Sequence, residues 1–559
     1  MAMFTASRTQ VATYLLGVCP FSIAFLVFLN SSVSFVITDL IGKHDGVGDA
    51  VGNLGFADEL VALVACPIWG LLSDRIGVRW VCCLGYILIG VALFAFVQAK
   101  NVYPDLLLGR LFFSLASANI STMVTAILPS MSFVEETGKK PPLPRRQQSR
   151  NGHAHTPSVA SELTITPSNY LTVRAEPNSA SQPTQQPDHA SKIAGFVGMA
   201  TGCGALIALS VFLPLPARFQ KAGVDPARAL QYSYYVVAAV ALLLFLVSLL
   251  GLRGLQSEKD KGWATLRPGS KRDQPKPSIR ETASSLAASI RQAFLASFTR
   301  RDIFIGYVGG FVARASSVGI SLFIPLLVNA VFLSSDLCEP QKALDRPSGL
   351  PDVKRRCPRA YVVAAELTGV SQLIALLCAP LFGYWASRLT NKTIPLMVAA
   401  VAGIVGYPVF AAFFDAHDDN KSARAVAFVS VCLIGISQIG AIVSSLSILS
   451  NGVLKQTTTN APNPNSSTNE RSTDTEAAPL LGESVSSSKA APSLAELKGS
   501  IAGVYSFYGG AGILLLTKVG GALFDSITKA APFYMMASFN AILLICALAT
   551  SFRTEPLQR

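Results

Sequence analysis

Asp58, Glu59, Arg110, Arg314, Glu366 and Gln372 all fall inside long apolar runs, where a hydrocarbon environment should exclude them. Ionisable groups within membrane-spanning segments are costly and mark ion or substrate paths by default. A carboxylate in that setting can bind and release a proton, because burial opposes its charge while a neighbouring guanidinium favours it. Asp58 or Glu59 is therefore the candidate proton site. Arg110 and Arg314 are counter-charges that tune it or hold an anionic group of a substrate. The alternative is a static buried ion pair. Adjacent residues on a helix point about 100° apart, so one acid faces the interior while the other packs or caps. Glu59 lies 11 residues before Gly70, about 16 Å along a helix at 1.5 Å per residue, and Arg314 comes to a similar height. Glu366 and Arg110 lie near the other end of their segments, where a long side chain can reach the interface. Gln372 occupies the place equivalent to Glu59 in the second half, an uncharged group suited to hydrogen bonding a substrate.

The elements that position these residues follow from composition. The chain is 51% hydrophobic and 14% charged, where soluble proteins carry roughly a quarter charged residues. This reads as an all-α integral membrane protein. A hydrocarbon core of about 30 Å needs roughly 20 helical residues, and twelve runs meet that need: 12–38, 53–73, 80–99, 105–131, 192–213, 231–252, 302–332, 360–386, 394–414, 425–450, 499–524 and 531–551. The first is too long for a signal-peptide core and is expected to remain as span 1. With both termini cytosolic, 29 of the 46 Lys and Arg fall on cytosolic segments, 14 on the other side and three (Arg110, Arg314, Lys518) within spans. That excess favours this orientation. The net charge of +13 is then an orientation and membrane-surface signal, and no nucleic-acid partner is expected.

Leu60, Ala62, Leu63, Pro67, Gly70 and Arg75 recur at an offset of 313 as Leu373, Ala375, Leu376, Pro380, Gly383 and Arg388. Ile193, Ala194, Gly195, Gly202 and Gly204 recur at an offset of 308 as Ile501, Ala502, Gly503, Gly510 and Gly512. Span 2 thus answers to span 8 and span 5 to span 11, which implies two six-helix bundles related by duplication, with the site between them. The expected segments are 1–131 (spans 1 to 4), 132–190 (a polar loop), 191–253 (spans 5 and 6), 254–301 (a basic linker), 302–450 (spans 7 to 10), 451–498 (a second polar loop), 499–552 (spans 11 and 12) and 553–559 (a cytosolic tail). The two polar loops are rich in Ser, Thr, Pro, Asn and Gln and are expected to be disordered. In the linker, Leu286, Ile290, Ala293, Phe294 and Phe298 fall at helical spacing, which predicts an interfacial amphipathic helix, the alternative being a basic tether. Pro492 and the Ser493-Leu-Ala-Glu496 pattern predict a capped start for span 11.

The run Gly70-Leu-Leu-Ser-Asp74-Arg75-Ile-Gly77-Val-Arg79 resembles the loop 2–3 motif of the major facilitator superfamily at every defining position. Gly70 admits a close helix, Gly77 a tight turn, and Asp74 is an anion available to a helix N-terminus. The resemblance implies that Asp74 locks against the start of span 11 as a cytosolic gate, with Arg75 and Arg79 reaching Glu135 or Glu136; the alternative is that both Arg are topology anchors. The second copy, Gly383-Tyr-Trp-Ala-Ser387-Arg388, has Ser in place of the Asp. Gly109-Arg110-Leu-Phe-Phe-Ser114 is similar to the family's second motif, with Ser114 where the family has Gly. Span 5 lacks the Gly-Pro pair of the antiporter motif and departs from the drug-antiporter pattern there. The implied function is secondary transport of a small organic solute by alternating access, coupled to protons. A facilitative uniporter and a transporter-like nutrient sensor or scaffold are the alternatives.

Cys338 and Cys357 share the loop between spans 7 and 8 on the non-cytosolic side, where a disulfide can form. It would close a loop of about 20 residues and contribute about 3 kcal/mol. Glu476-Ala-Ala-Pro-Leu480-Leu481 resembles an acidic dileucine sorting signal, and Tyr170-Leu-Thr-Val173 a tyrosine-based one. These imply clathrin-adaptor-type sorting partners and a vacuolar membrane, with the plasma membrane as alternative, and the long polar loops are similar to those of fungal members. His417 sits in an acidic loop where solvation is the expected state. No nucleotide loop, zinc spacing or nucleophile elbow is present, so no enzyme, metal or cofactor is expected, and the chain is expected to act as a monomer in the lipid bilayer.

Overall fold

In hydrocarbon each backbone N–H and C=O must be satisfied within its own segment, which leaves the helix as the solution for an isolated apolar run. The computed structural model describes residues 6–43, 47–131, 189–255, 279–335, 358–389, 391–414, 421–459 and 497–552. Among them are twelve helices long and apolar enough to cross a membrane: span 1 Arg8–Leu40, span 2 Ala50–Ile76, span 3 Val78–Phe96, span 4 Val102–Met131, span 5 Ala190–Lys221, span 6 Pro226–Gly251, span 7 Arg301–Phe332, span 8 Val362–Arg388, span 9 Ile394–Phe413, span 10 Ser422–Val453, span 11 Lys498–Ser526 and span 12 Ala531–Ser551. The described residues contain no strand, and the chain is an all-α, multi-pass membrane protein. The expectations placed on Glu135, Glu136, Tyr170, Val173, Cys338, Cys357, His417, Glu476, Leu480, Leu481, Ser493 and Glu496 lie outside the described residues.

Span 2 passes into span 3 through Gly77 alone, at φ +104° and ψ 143°. An L side chain rarely adopts that backbone conformation, so glycine makes this one-residue reversal possible. With twelve spans, the Ile76 end of span 2 shares a face with both chain ends, here termed the terminal face.

The duplication seen in the sequence governs how the halves meet. Lipid tails are as apolar as the side chains, so helices associate through close packing of small residues. A Cβ added at Gly70 of span 2 would collide with the backbone of Gly499 and Gly503 on span 11. A Cβ at Gly383 of span 8 would stand 2.7 Å from the Cα of Gly195 and 2.9 Å from the carbonyl oxygen of Ser191 on span 5. Gly383 is the copy of Gly70, and Ser191 and Gly195 are the positional copies of Gly499 and Gly503, so one contact occurs twice across a pseudo-two-fold axis. The 308-residue offset also relates two π-helical turns, Ala208–Phe212 in span 5 and Leu516–Gly520 in span 11. Toward the opposite face the packing relaxes. A Cβ at Gly55 or Gly369, on roughly the same faces as Gly70 and Gly383, would meet no atom within 4 Å.

The linker forms a helix over Ile279–Thr299, but its apolar stripe divides. Ala293 and Ala296 are buried, the Phe294 ring lies 5.3 Å from that of Phe507 on span 11, and Tyr307 of span 7 donates to the Ala293 carbonyl at 3.2 Å. Phe298 is 81% exposed. The sequence pattern treated Ala293, Phe294 and Phe298 as one membrane-facing stripe. Part of that stripe docks on the bundle instead, because spans 7 and 11 present aromatic rings to it.

Gly383→Val must push spans 5 and 8 apart, an overpacking that costs about 1–3 kcal/mol. Thermal unfolding of the purified protein should therefore shift down by a few degrees. Gly52→Ala, where the added carbon meets nothing within 4 Å, should not lower it.

Candidate functional site

Span 11 begins at Lys498, with Leu497 as N-cap and no side-chain cap of its own. The expected capping residues Ser493 and Glu496 lie outside the described residues. The cap comes from span 2. Asp74 accepts hydrogen bonds from the Gly499 N–H at 2.6 Å, the Ser500 N–H at 2.6 Å and the Ser500 hydroxyl at 2.7 Å. A helix N-terminus carries about half a positive charge and several N–H groups without intrahelical acceptors, so a carboxylate there makes charge-assisted bonds. Lys498 donates through Nζ to Ser130 of span 4 at 2.7 Å, tying the same helix end to a second span. Between spans 4, 10 and 11 a cavity of about 10 Å³, with Leu128, Leu449 and Ile501 among its lining residues, has room for about one water.

The pseudo-symmetric position has no carboxylate. Ser387 stands where Asp74 does, and its hydroxyl donates to its own helix at the Tyr384 carbonyl, 2.6 Å away. Across the interface the hydroxyls of Ser191 and Ser447 share a hydrogen bond of 2.6 Å. Arg79 donates to the Leu249 carbonyl at the end of span 6, through Nε at 3.1 Å and Nη2 at 2.6 Å. Its expected partners Glu135 and Glu136 are outside the described residues.

Higher in the bundle, the two adjacent acids of span 2 separate. Asp58 forms an ion pair with Arg110 at 2.6 Å, and the same guanidinium donates to Asn30 Oδ1 of span 1. Ser114 donates to the Asp58 carbonyl at 2.6 Å. Arg110 is 4% exposed, so it does not snorkel to the interface as its shallow place in the sequence allowed; a carboxylate and an amide on two neighbouring spans hold it inside. Among the described residues its Nε and Nη1 find no acceptor. Glu59 is half-buried and, among the described residues, has neither a hydrogen-bond donor nor an ion-pair partner. Arg314 and Arg110 lie within its electrostatic reach.

Arg314 leaves span 7, crosses Gly509 of span 11 and donates through Nη2 to Ser121 of span 4 at 2.8 Å. One side chain thus bridges the two halves beside Glu59. In the second half Gln372 donates to Gln438 at 3.4 Å, and Gln438 to Ser317 at 3.0 Å, so spans 8, 10 and 7 share an uncharged polar chain. Glu366 is exposed and stands apart from this chain.

Asn30, Ser121, Gln438, Ser500 and Lys518 belong to these networks, though the sequence pattern did not single them out as site residues. The Lys518 ammonium lies 3.8 Å from the ring centroid of Phe56, a cation–π contact between spans 11 and 2. Asn30 and Gln438 had a visible signal, an amide inside an apolar run. Ser121 and Ser500 had none, since small hydroxyls occur throughout these helices.

The arrangement of the spans has counterparts among solved structures. The proton:xylose symporter XylE aligns with a TM-score of 0.55 at 11% identity, over 97% of this chain and 95% of that one. The E. coli fucose:proton symporter FucP aligns at 0.50 with 14% identity, over 98% and 100%. The chain has the major facilitator fold. Residues 20–139, which contain the Asp74 motif and Arg110, match the Major Facilitator Superfamily as a sequence family. The quinolone resistance protein NorA of Staphylococcus aureus is 28% identical over 116 residues, 21% of this chain, and the match spans 30% of that protein's length.

Within this major facilitator fold the two acids should respond differently to neutralisation. Asp58→Asn leaves a buried guanidinium without its counter-ion, a loss of about 3–5 kcal/mol, and should markedly lower the thermal unfolding temperature. Arg110→Gln combined with Asp58→Asn should recover part of the loss. Glu59→Gln, with no partner to lose, should melt with the wild type.

Proposed function

We propose that the protein is a secondary transporter that moves a small organic solute by rocking its two six-helix halves about a central site, coupled to protons through Glu59. The observation that carries this reading is the unpaired Glu59 carboxylate beside Arg314, the residue that bridges the halves through Ser121. An acid held near a mobile counter-charge changes its proton affinity when that charge moves away. Rocking separates span 7 from span 4, so it carries Arg314 away from Ser121 and Glu59 together. Asp58, fixed to Arg110, is in this account a structural ion.

In the same reading Asp74 is the gate on the terminal face. The basic-residue excess on the segments of that face supports its being cytosolic. The closed contacts at Asp74, Gly70 and Gly383, set against open space at Gly55 and Gly369, support a resting state open toward the other side. The dileucine pattern at Glu476, Leu480 and Leu481 supports delivery to a vacuolar membrane by adaptor-type proteins.

Flux in proteoliposomes tests the coupling. Solutes from a panel of sugars, amino acids and carboxylates are offered with and without an imposed pH gradient. Wild-type protein should accumulate its solute only with the gradient, and Glu59→Gln should lose accumulation while retaining exchange of labelled for unlabelled solute. Uptake that ignores the gradient and is equal in Glu59→Gln would make the protein a uniporter.

A further inference from the structure

We propose that the transported solute is an organic anion whose carboxylate is held by Arg314, and that it binds together with a proton on Glu59. This rests on the transport reading above and adds the class of substrate.

Arg314 has more hydrogen-bond donors than it uses among the described residues. A guanidinium offers five N–H groups in a fixed fork suited to a carboxylate. Among the described residues Arg314 uses only Nη2, toward the neutral hydroxyl of Ser121, and no carboxylate lies within ion-pair distance of it. It is half-buried and its stem is pressed against Gly509, so its position is constrained while its head remains available. The other intramembrane Arg differs. Arg110 already has Asp58 and Asn30, and that pair cancels its own charge. An arginine held in place at the junction of the two halves and lacking a carboxylate is suited to an anion supplied from outside.

The neighbours of Glu59 make the proton part of the same event. The charged and titratable groups around it are Asp58 and Cys66 on its own span, Arg110 on span 4 and Arg314 on span 7. Span 11 adds Tyr505, which senses Arg314, and Lys518, against the Phe56 ring toward the opposite face. Span 1 contributes only the neutral Asn30 to this group. Asp58 is committed to Arg110, which leaves Glu59 and Arg314 as the uncommitted opposite charges. An incoming carboxylate at Arg314 meets a like charge on ionised Glu59 and none once Glu59 is protonated. By linkage the proton and the anion must then favour each other's binding by the same factor. Ser121 and the Gln372–Gln438–Ser317 chain supply neutral hydrogen-bonding groups in the two halves for the rest of the molecule.

The test measures binding to the full-length protein in nanodiscs, using acids and their neutral amides as matched probes: lactate and lactamide, succinate and succinamide, nicotinate and nicotinamide. At least one acid should bind to wild type where its amide does not, with affinity falling at least tenfold between pH 5.5 and pH 8. Glu59→Gln should bind that acid with no pH dependence over the same range. Arg314→Gln should weaken it at least tenfold, and Arg314→Lys, which keeps the cation, should retain part of the affinity and shows that the site survives substitution. Failure of every acid to bind, equal binding of acid and amide, or unchanged affinity in Arg314→Gln overturns the proposal. If a neutral sugar drives proton-coupled flux while no acid binds, transport stands and the anion assignment falls. If an acid binds as described but no solute crosses the bilayer, the site stands and the transport reading falls.

Discussion

The Asp74 carboxylate on the first turn of span 11 is the contact on which the arrangement of the two halves depends. Three hydrogen bonds converge on it from Gly499 and Ser500, and they replace the cap that Leu497 cannot give. The bonds are polar, yet apolar packing makes them possible. Gly70 and Gly503 lack side chains where the helices meet, so span 11 approaches closely enough for its N–H groups to reach span 2. A carboxylate at a helix end also gives the contact a reversible character. Unlike a buried apolar interface, it can be released to water at modest cost when the helices part.

The duplicated partner of this contact keeps the packing and discards the charge. Gly383 meets Ser191 and Gly195 in the same way as Gly70 meets Gly499 and Gly503, though less tightly, but Ser387 turns back on its own helix. On the terminal face, therefore, the steric contact occurs in both copies while the carboxylate cap occurs in one. The same asymmetry recurs in mid-bundle, where the first half carries Asp58, Glu59 and Arg110 and the second half answers with Gln372 and Gln438. Arg314 departs from this pattern, a second-half charge that reaches Ser121 in the first half, as Lys518 reaches the Phe56 ring.

The architecture was legible because its signals are long. Twelve apolar runs, two fixed offsets and a ten-residue motif each constrain many residues, and the spans follow them. Gly77 was legible as well, since the one-residue turn leaves no other residue type suited to φ +104°. The site was legible only in part. The sequence named Asp58 and Glu59 as a pair but could not assign one to Arg110, because that choice depends on where Asn30 and Ser114 stand on other helices. Arg110 read as a counter-charge, but its shallow depth left the interface open as an alternative, because burial by neighbouring spans is invisible to depth. The linker stripe was read as membrane-facing because periodicity does not say whether lipid or Phe507 covers an apolar face. The Asp74 cap on span 11 was not legible for a related reason, since a local pattern cannot anticipate a cap donated from 425 residues away.

The most direct test of this account is the distance between the halves at the terminal face. Spin labels at Leu250 of span 6 and Leu548 of span 12, introduced after the native cysteines are replaced, report it by pulsed dipolar spectroscopy in nanodiscs. The account predicts one dominant short distance in the wild type, and a shift of population toward longer distances in Asp74→Asn, where the carboxylate charge facing the span 11 N-terminus is gone. An unchanged distance distribution in Asp74→Asn would contradict it.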